Sequence, residues 1–207
     1  MTERDLIEAR LRGTVPGGDP LRALVAGLEP GQTEALRKLL PAEFSRAAVL
    51  VPIVERPQGL TVLLTQRASH LKNHPGQISF PGGRMESADA SPWETALRET
   101  EEEIGIARRH VSLAGYLSDH IVITGYLVTP VVGFVRPGFE LVLDRTEVDD
   151  VFEVPLDFIL DPAHHVPRER HFGGHTFRAH DIPYEGRNIW GATAGMLMTL
   201  YRVLREG

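Results

Sequence analysis

The sequence contains no cysteine, and this absence excludes three kinds of site. Without a thiol the chain forms no disulfide, no zinc–thiolate centre and no cysteine nucleophile. It also lacks an excess of positive charge, because 28 acidic residues against 22 lysines and arginines give a formal net charge of −6. Nucleic-acid-binding proteins typically carry a basic surface, so the charge argues against that class of function.

Long apolar runs are also missing. The most apolar segments, 47–54 and 121–135, are interrupted by polar residues, proline or glycine, and neither matches the roughly 20 apolar residues of a membrane-spanning helix. Residues 1–10 are charged and have no apolar centre, unlike a secretory signal, and the last three residues match no common address tag. We therefore expect a soluble, cytoplasmic protein that does not bind a membrane.

The order of helical and strand patterns predicts an α/β (or α+β) fold around a mixed sheet. Leucines at helical spacing, near Leu21 and Leu36, predict short helices in an N-terminal extension over residues 1–45, packed on a main domain over 46–207. Strand patterns lie at 47–54, 60–65, 77–80, 111–118, 121–124 and 126–135, with a hairpin at 168–172 and 175–182. A short helix or turn is predicted at 152–160 and a closing helix at 190–205.

One strong helix is predicted over residues 92–104. Ser91 suits the N-cap, Pro92 suits the first helical position, and Glu94 at the third helical position completes a capping box. Gly105 is a natural stop just past the end. At 100° per residue the buried stripe contains Trp93, Ala96, Leu97, Thr100 and Ile104.

The same helix carries a run of acids whose members point to different sides. Glu99, Glu102 and Glu103 form one patch, whereas Glu101 lies on another flank. Like charges at this spacing repel, and the helix C-terminus adds partial negative charge, so the patch favours a bound cation. Ligands that are all oxygen indicate Mg²⁺ or Mn²⁺. The alternative interpretation is a solvated acidic face.

A glycine-rich loop is predicted just before the helix, in a strand–loop–helix unit. Gly82 and Gly83 follow a strand pattern, and paired glycines let a ligand approach the backbone closely. Gly82 is therefore a candidate contact for substrate.

These residues together resemble the box of the Nudix hydrolase family. The second half of that box is matched by Arg98-Glu99-Thr100-Glu101-Glu102-Glu103-Ile104-Gly105-Ile106, and the first half by Gly83 and Asp89. The resemblance implies an α/β/α sandwich around a mixed sheet. It also implies that Glu99, Glu102 and Glu103 bind metal together with the Gly83 carbonyl, that Arg98 orients a glutamate, and that Glu147 is a further ligand or base.

A second stretch is similar to the motif of the coenzyme A pyrophosphatase branch of this family. It comprises Leu63-Leu64-Thr65-Gln66-Arg67-Ala68-Ser69-His70 and Gly76-Gln77-Ile78-Ser79-Phe80-Pro81-Gly82-Gly83. The branch also resembles this chain at Glu147, at 154–156 and at 189–194. Arg67, Lys72 and Arg84 flank the glycine segment and are candidates for binding substrate phosphates, since arginine offers a bidentate fork.

The function that this resemblance implies is metal-dependent hydrolysis of the pyrophosphate bond of coenzyme A, or its derivatives, to 4′-phosphopantetheine and adenosine 3′,5′-bisphosphate. Divalent cations neutralise phosphoryl charge and acidify water, and Glu102 or Glu147 takes the proton from that water. Alternative substrates are ADP-ribose, NADH or a nucleoside triphosphate, and a third interpretation is a non-catalytic Nudix-like binding domain. The partner is a small molecule, and the oligomeric state stays open, with a homodimer as one option.

Three other features have simpler interpretations. The acidic run Glu147, Asp149, Asp150 and Glu153 is interpreted mostly as a solvated turn. Five histidines, among them His165 and His180, lie in or near the predicted hairpin at irregular spacing without an obvious acid partner, which favours surface positions over a second metal site. Trp190 could stack on an adenine, but packing of the closing helix is the more ordinary role.

Overall fold

The computed structural model describes residues 2–18, 40–41, 43–122, 124–172 and 175–205. The helices predicted near Leu21 and Leu36 lie outside the described residues. Helix α1 (Glu3–Leu11) is capped by Thr2, whose side chain accepts a hydrogen bond from the Asp5 N–H at 3.1 Å. It buries Ile7 and Leu11 in the main core, so this part of the N-terminal segment packs on the rest of the chain.

A mixed sheet forms the centre of the molecule. Its strands are β1 (Ser45–Arg56), β2 (Gly59–Arg67), β3 (Ile78–Ser79), β4 (Gly82–Arg84), β5 (Val111–Tyr116), β6 (His120–Val122), β7 (Tyr126–Val135) and β8 (Val148–Pro155). β1 pairs in parallel with β7 and antiparallel with β2 and β4, while β8 pairs antiparallel with β2. The central strands β1 and β7 are apolar on both sides, as buried parallel strands usually are.

Helices cover both faces of this sheet. Helix α2 (Pro92–Ile104) packs on one face, where Ala96 meets Ala48, Leu50 and Val131. On the other face lie α1, the short α3 (Leu156–Ile159) and the closing helix α4 (Gly191–Arg205). The predicted α/β/α sandwich around a mixed sheet is therefore confirmed.

A smaller three-stranded sheet adjoins the first. It consists of β9 (Val166–Phe172), β10 (His175–Tyr184) and β11 (Arg187–Ile189), all antiparallel. Ile182 and Ile189 join the main core, which fixes this sheet to α4 and β3. Sequence patterns predicted the β9–β10 hairpin but not β11.

Two predictions about local structure are wrong. The acidic segment around Asp149 and Glu153 is not a solvated turn, and 152–155 is not helical: residues 148–155 form β8, with the short helix following only at Leu156. Gly82 and Gly83 are not a loop, since they pair with Val49 and Ala48 as part of β4. In both places the partner strand is distant in sequence, so the local pattern of residues could not predict the pairing.

Candidate active site

Helix α2 has the predicted ends, with one difference at its start. Ser91 accepts a hydrogen bond from the Glu94 N–H at 3.3 Å. The Glu94 carboxylate, however, does not complete a capping box, because it accepts a hydrogen bond from Arg108 at 3.1 Å. Gly105 ends the helix in the left-handed conformation, with φ of 77°.

The last turn of α2 is held by the chain segment that precedes β8. The carbonyls of Glu103 and Ile104 accept hydrogen bonds from the N–H groups of Asp144 and Val142, at 2.9 and 3.0 Å. Carbonyls at a helix end have no partner within the helix, so this segment satisfies them. It thereby fixes the end of the helix that carries the acids.

Asp89 and Arg98 form a bidentate ion pair beside the helix. Arg98 donates from Nε to Asp89 Oδ1 at 3.1 Å and from Nη2 to Oδ2 at 2.9 Å. The Thr95 hydroxyl and the Glu86 N–H also donate to Oδ2, each at 2.9 Å. The hydrogen bonds from Arg98 hold the pKa of Asp89 well below its usual range. No role for Asp89 was predicted from the sequence; the only signal was its spacing from Gly83.

The same guanidinium reaches two of the predicted metal ligands. Nη1 of Arg98 lies 2.9 Å from Glu99 Oε1 and 3.1 Å from Glu102 Oε2. Its Nη2 also donates to the Arg84 carbonyl at 3.2 Å. Arg98 thus ties β4 and the Asp89 turn to the acidic face of α2 and orients both glutamates.

β4 runs against the acidic face of the helix. The Gly82 N–H donates to Glu103 Oε2 at 3.1 Å. A Cβ on Gly83 would lie 2.5 Å from the Glu99 carboxyl carbon, and a Cβ on Gly82 would lie 2.5 Å from the Val49 Cα. Gly82 also has φ of 152°. Both glycines are therefore required by close approach, one to a carboxylate and the other to β1.

Glu103 is the most buried acid of the site. Only 4% of it is exposed, whereas the wheel placed it on an acidic face with Glu99 and Glu102. Burial raises the pKa of Glu103 to about 8; the Gly82 N–H and Arg67 oppose this, and the charges of Glu147 and Glu99 add to it. Burial also raises the pKa of Glu99, against the effect of Arg98. Glu103 and Glu99 are thus two neighbouring carboxylates at low exposure to water.

Arg67, the last residue of β2, and Glu147, which directly precedes β8, come to this cluster side by side. The Ala68 N–H donates to the Glu147 carbonyl at 2.8 Å, just after a bulge at Gln66 and Arg67. The Glu147 side chain is exposed, yet close enough to raise the pKa values of Glu99 and Glu103. The Arg67 Nε is buried and, among the described residues, has no hydrogen-bond partner.

The remaining predicted residues lie at the rim. Lys72 is exposed in the segment between β2 and β3, and Arg84 is exposed at the end of β4. The Glu101 side chain is 47% exposed and lies 4.0 Å from Arg108, away from Glu99 and Glu103. Its position off the patch agrees with the helical wheel.

In the part of the chain that the structure describes, no three acids or histidines converge as a ready-made metal cluster. Glu99 and Glu102 point to Arg98, and Glu103 points to the Gly82 N–H. The atoms that could act as metal ligands here are nonetheless carboxylate and carbonyl oxygens, which suit a hard divalent cation rather than zinc or copper.

Histidines and Trp190 lie elsewhere. His164 and His165 contact the carbonyls of Phe158 and Ile159 at 2.9 and 2.7 Å. His180 packs near His165. The sequence favoured a packing role for Trp190 beneath the closing helix, but 40% of this residue is exposed.

Comparison with known proteins gives the following matches. A family model described as NUDIX domain matches residues 44–173. The Uncharacterized Nudix hydrolase NudL of Shigella flexneri serotype 5b (strain 8401) is 44% identical over 161 residues, covering 77% of this chain and 83% of that protein. NudL of Escherichia coli (strain K12) is 44% identical over 156 residues, covering 75% and 80%.

Solved structures with a similar course of the chain are more distant. The MutT/nudix family protein from Enterococcus faecalis has a TM-score of 0.49 and 16% identity, covering 90% of this chain and 73% of that one. The NUDIX domain of Shewanella oneidensis NrtR, complexed with ADP ribose, has a TM-score of 0.44 and 22% identity, covering 66% and 83%. Among the described helices, none combines the length and apolar character needed to cross a membrane.

Proposed function

The chain belongs to the Nudix hydrolase family, and we propose that it hydrolyses the pyrophosphate bond of coenzyme A or its derivatives with a divalent cation, Mg²⁺ or Mn²⁺. Nudix hydrolases act on nucleoside-diphosphate-linked compounds, so the hydrolase activity follows from the family. The proposal concerns the substrate, the metal and the residues that act.

The observation that carries the proposal is the crowding of carboxylates around Gly82 and Gly83. Glu103 is buried beside Glu99 and Glu147, with the Gly82 N–H as its hydrogen-bond donor. Crowded carboxylates at low exposure are costly unless a cation compensates them. A pyrophosphate substrate is itself anionic, so the same cation would also relieve its repulsion from the site.

The donors present fit a hard divalent cation. Glu99, Glu102 and Glu103 would hold it, with the Gly83 carbonyl as a further oxygen ligand. When bound, the cation neutralises charge on the phosphoryl oxygens and lowers the pKa of water.

The chain's own residues supply orientation and a proton acceptor. Arg98, held by Asp89, orients Glu99 and Glu102. Glu147 and Glu102 are the exposed carboxylates of the site, and the Glu102 side chain is 60% exposed. Either carboxylate would accept the proton of the attacking water through a hydrogen bond.

Support for a coenzyme A substrate comes from positively charged side chains around β4, the strand that contains the two glycines. Arg67 lies beside Glu103 with its Nε buried, a donor that a substrate phosphate oxygen would satisfy. Lys72 and Arg84 are exposed at the rim. Coenzyme A carries a 3′-phosphate in addition to its pyrophosphate, which makes several cations useful.

The test is a substrate panel with Mg²⁺ and Mn²⁺, in which products are identified by mass. The panel contains coenzyme A, acetyl-coenzyme A, ADP-ribose, NADH and ATP. We expect 4′-phosphopantetheine and adenosine 3′,5′-bisphosphate from coenzyme A at the highest kcat/KM. A preference for ADP-ribose or NADH would overturn the coenzyme A assignment, and turnover that persists after metal removal would overturn the metal assignment.

A further inference from the structure

One face of the β9–β11 sheet carries a group of polar and aromatic side chains that the residues of the pyrophosphate site do not use. Side chains alternate along a strand, so Asp181 and Ile182 point to opposite sides. Ile182 and Ile189 face the core. The opposite side, here called the Trp190 face, carries Arg168, Arg170, Asp181, Asn188 and Trp190.

Asp181 organises this face. Its side chain is only 4% exposed although it lies on the open side of the sheet. Arg170 Nη2 donates to Oδ1 at 2.6 Å, Asn188 Nδ2 donates to Oδ2 at 3.0 Å, and Arg168 Nε lies 3.6 Å from Oδ2. The buried carboxylate therefore holds Arg170 by a hydrogen bond and lies within ion-pair distance of Arg168. Each guanidinium has five N–H donors, and the side chains stay 57% exposed for Arg168 and 43% exposed for Arg170.

Trp190 lies beside these arginines with its ring open to solvent. The guanidinium carbon of Arg170 is 5.4 Å from the centre of the indole ring, within the range of a cation–π contact. With 40% of Trp190 exposed, the ring keeps surface for a further planar group. Nucleic-acid bases commonly stack on aromatic rings, because every base has a flat π-face.

The strand that leads into Trp190 lies beside β3, and β3 is separated by only two residues from β4, the strand that contains Gly82 and Gly83. Strand β11 packs beside β3, and the Thr193 hydroxyl donates to the Ile78 carbonyl at 2.9 Å. Ser79 is three residues from Gly82, so at most about 10 Å separates these two positions along an extended chain. The short segment 79–82 therefore links the strand beside β11 to the glycines of the glutamate site.

We propose that Trp190 and Arg170 bind the purine base of the substrate and that Arg168 binds a phosphate group near that base. This inference rests on the proposed function, because it assumes a nucleotide substrate cleaved at the glutamate cluster. Arg168 and Arg170 outweigh Asp181 by one positive charge on a chain whose net charge is −6. The face therefore offers an anionic group local compensation together with an aromatic surface.

Binding can be measured without metal and without turnover. The chain has two tryptophans, so Trp93→Phe leaves Trp190 as the reporter, and adenosine 3′,5′-bisphosphate is the probe. We expect this nucleotide to quench the fluorescence of Trp190 in a saturable way. In the same background Arg170→Ala should weaken the probe's Kd about tenfold. The matched control is Arg178→Ala, which removes one positive charge from the other face of β10 and should leave the Kd unchanged.

Steady-state kinetics on coenzyme A gives a second readout that separates binding from folding. Trp190→Ala should raise KM about tenfold with kcat within twofold of the parent, and Trp190→Phe should recover most of the loss because a stacking ring remains. Thermal unfolding checks that each variant is folded. An absence of quenching, or equal effects of Arg170→Ala and Arg178→Ala, would overturn this inference even if the enzyme hydrolyses coenzyme A. Conversely, quenching without hydrolysis of any panel compound would refute the proposed function alone.

Discussion

Replacing Asp89 with Asn tests whether the ion pair with Arg98 supports both the fold and the glutamates. Asparagine matches aspartate in shape but carries no charge. Its N–H₂ group would face a guanidinium that can donate hydrogen bonds but not accept them. The Asp89 and Arg98 side chains are 6% and 22% exposed. Breaking a buried pair costs about 3–5 kcal/mol, and the partial exposure of Arg98 puts the loss near the lower end, about 3 kcal/mol.

The consequence is measurable in thermal unfolding. For a chain of this size each kcal/mol shifts Tm by about 2–4 °C, so Asp89→Asn should lower Tm by about 6–12 °C at pH 7. The matched control is Glu94→Gln, which breaks an ion pair whose side chains are 54% and 37% exposed. Exposed pairs contribute about 0–1 kcal/mol, so this variant should change Tm by less than about 4 °C.

The pH dependence of the difference has a definite sign. The folded-state pKa of Asp89 lies below its unfolded value of about 3.9. Its contribution is therefore fully present above pH 5 and is lost as pH falls through and below 4. The Tm gap between parent and variant should shrink over that window. Equal Tm values at pH 7, or a gap that does not change with acid, would refute the reasoning.

Three further predictions follow from the site and the core. Glu103→Gln should reduce kcat by at least 100-fold while the protein stays folded, whereas Glu101→Gln should cost less than threefold; equal losses would contradict the face assignment. Gly83→Ala should abolish most activity with little change in Tm, because the added Cβ displaces the flexible Glu99 carboxylate and not backbone; wild-type turnover in that variant would contradict the packing argument. Burial lowers the pKa of His120 to about 4, so the free energy of unfolding should fall as pH drops from 6.5 to 4, by about 3 kcal/mol. His120→Asn should remove that part of the slope in urea titrations, and an unchanged slope would show that the ring is not buried in the neutral form.

Local sequence signals predicted the elements whose causes are local. Helix α2 was assigned to its exact residues because Ser91, Pro92 and Gly105 mark its ends. Strand β7 was assigned equally well, because a long apolar run bounded by polar residues is typical of a buried strand. Helical geometry alone also gave the position of Glu101 off the patch and four of the five predicted buried residues of α2, whereas Trp93 is only partly buried and the buried Thr95 was missed.

Contacts between distant residues explain what was missed. In β8, Glu153 pairs with Arg56 and Asp150 pairs with Arg187; these partners are 97 and 37 residues away, so the acids read as a solvated turn. The burial of Glu103 depends on Gly82 and the segment before β8, neither of which the helix sequence contains. A pattern of residues can indicate which acids belong together, but not which one the rest of the chain encloses.

The parallel pairing of β1 with β7 also bears on how the protein folds. Ser45 aligns with Tyr126 and Val54 with Val135, so about 80 residues, including β4 and α2, lie inside the loop that this pairing closes. Closing so long a loop is entropically costly and slows folding. Because β4 pairs with β1 and α2 packs on β1 and β7, we expect the glutamates to reach Gly82 and Gly83 only when that central pair has formed. Catalytic competence would then recover no faster than the pairing of β1 with β7.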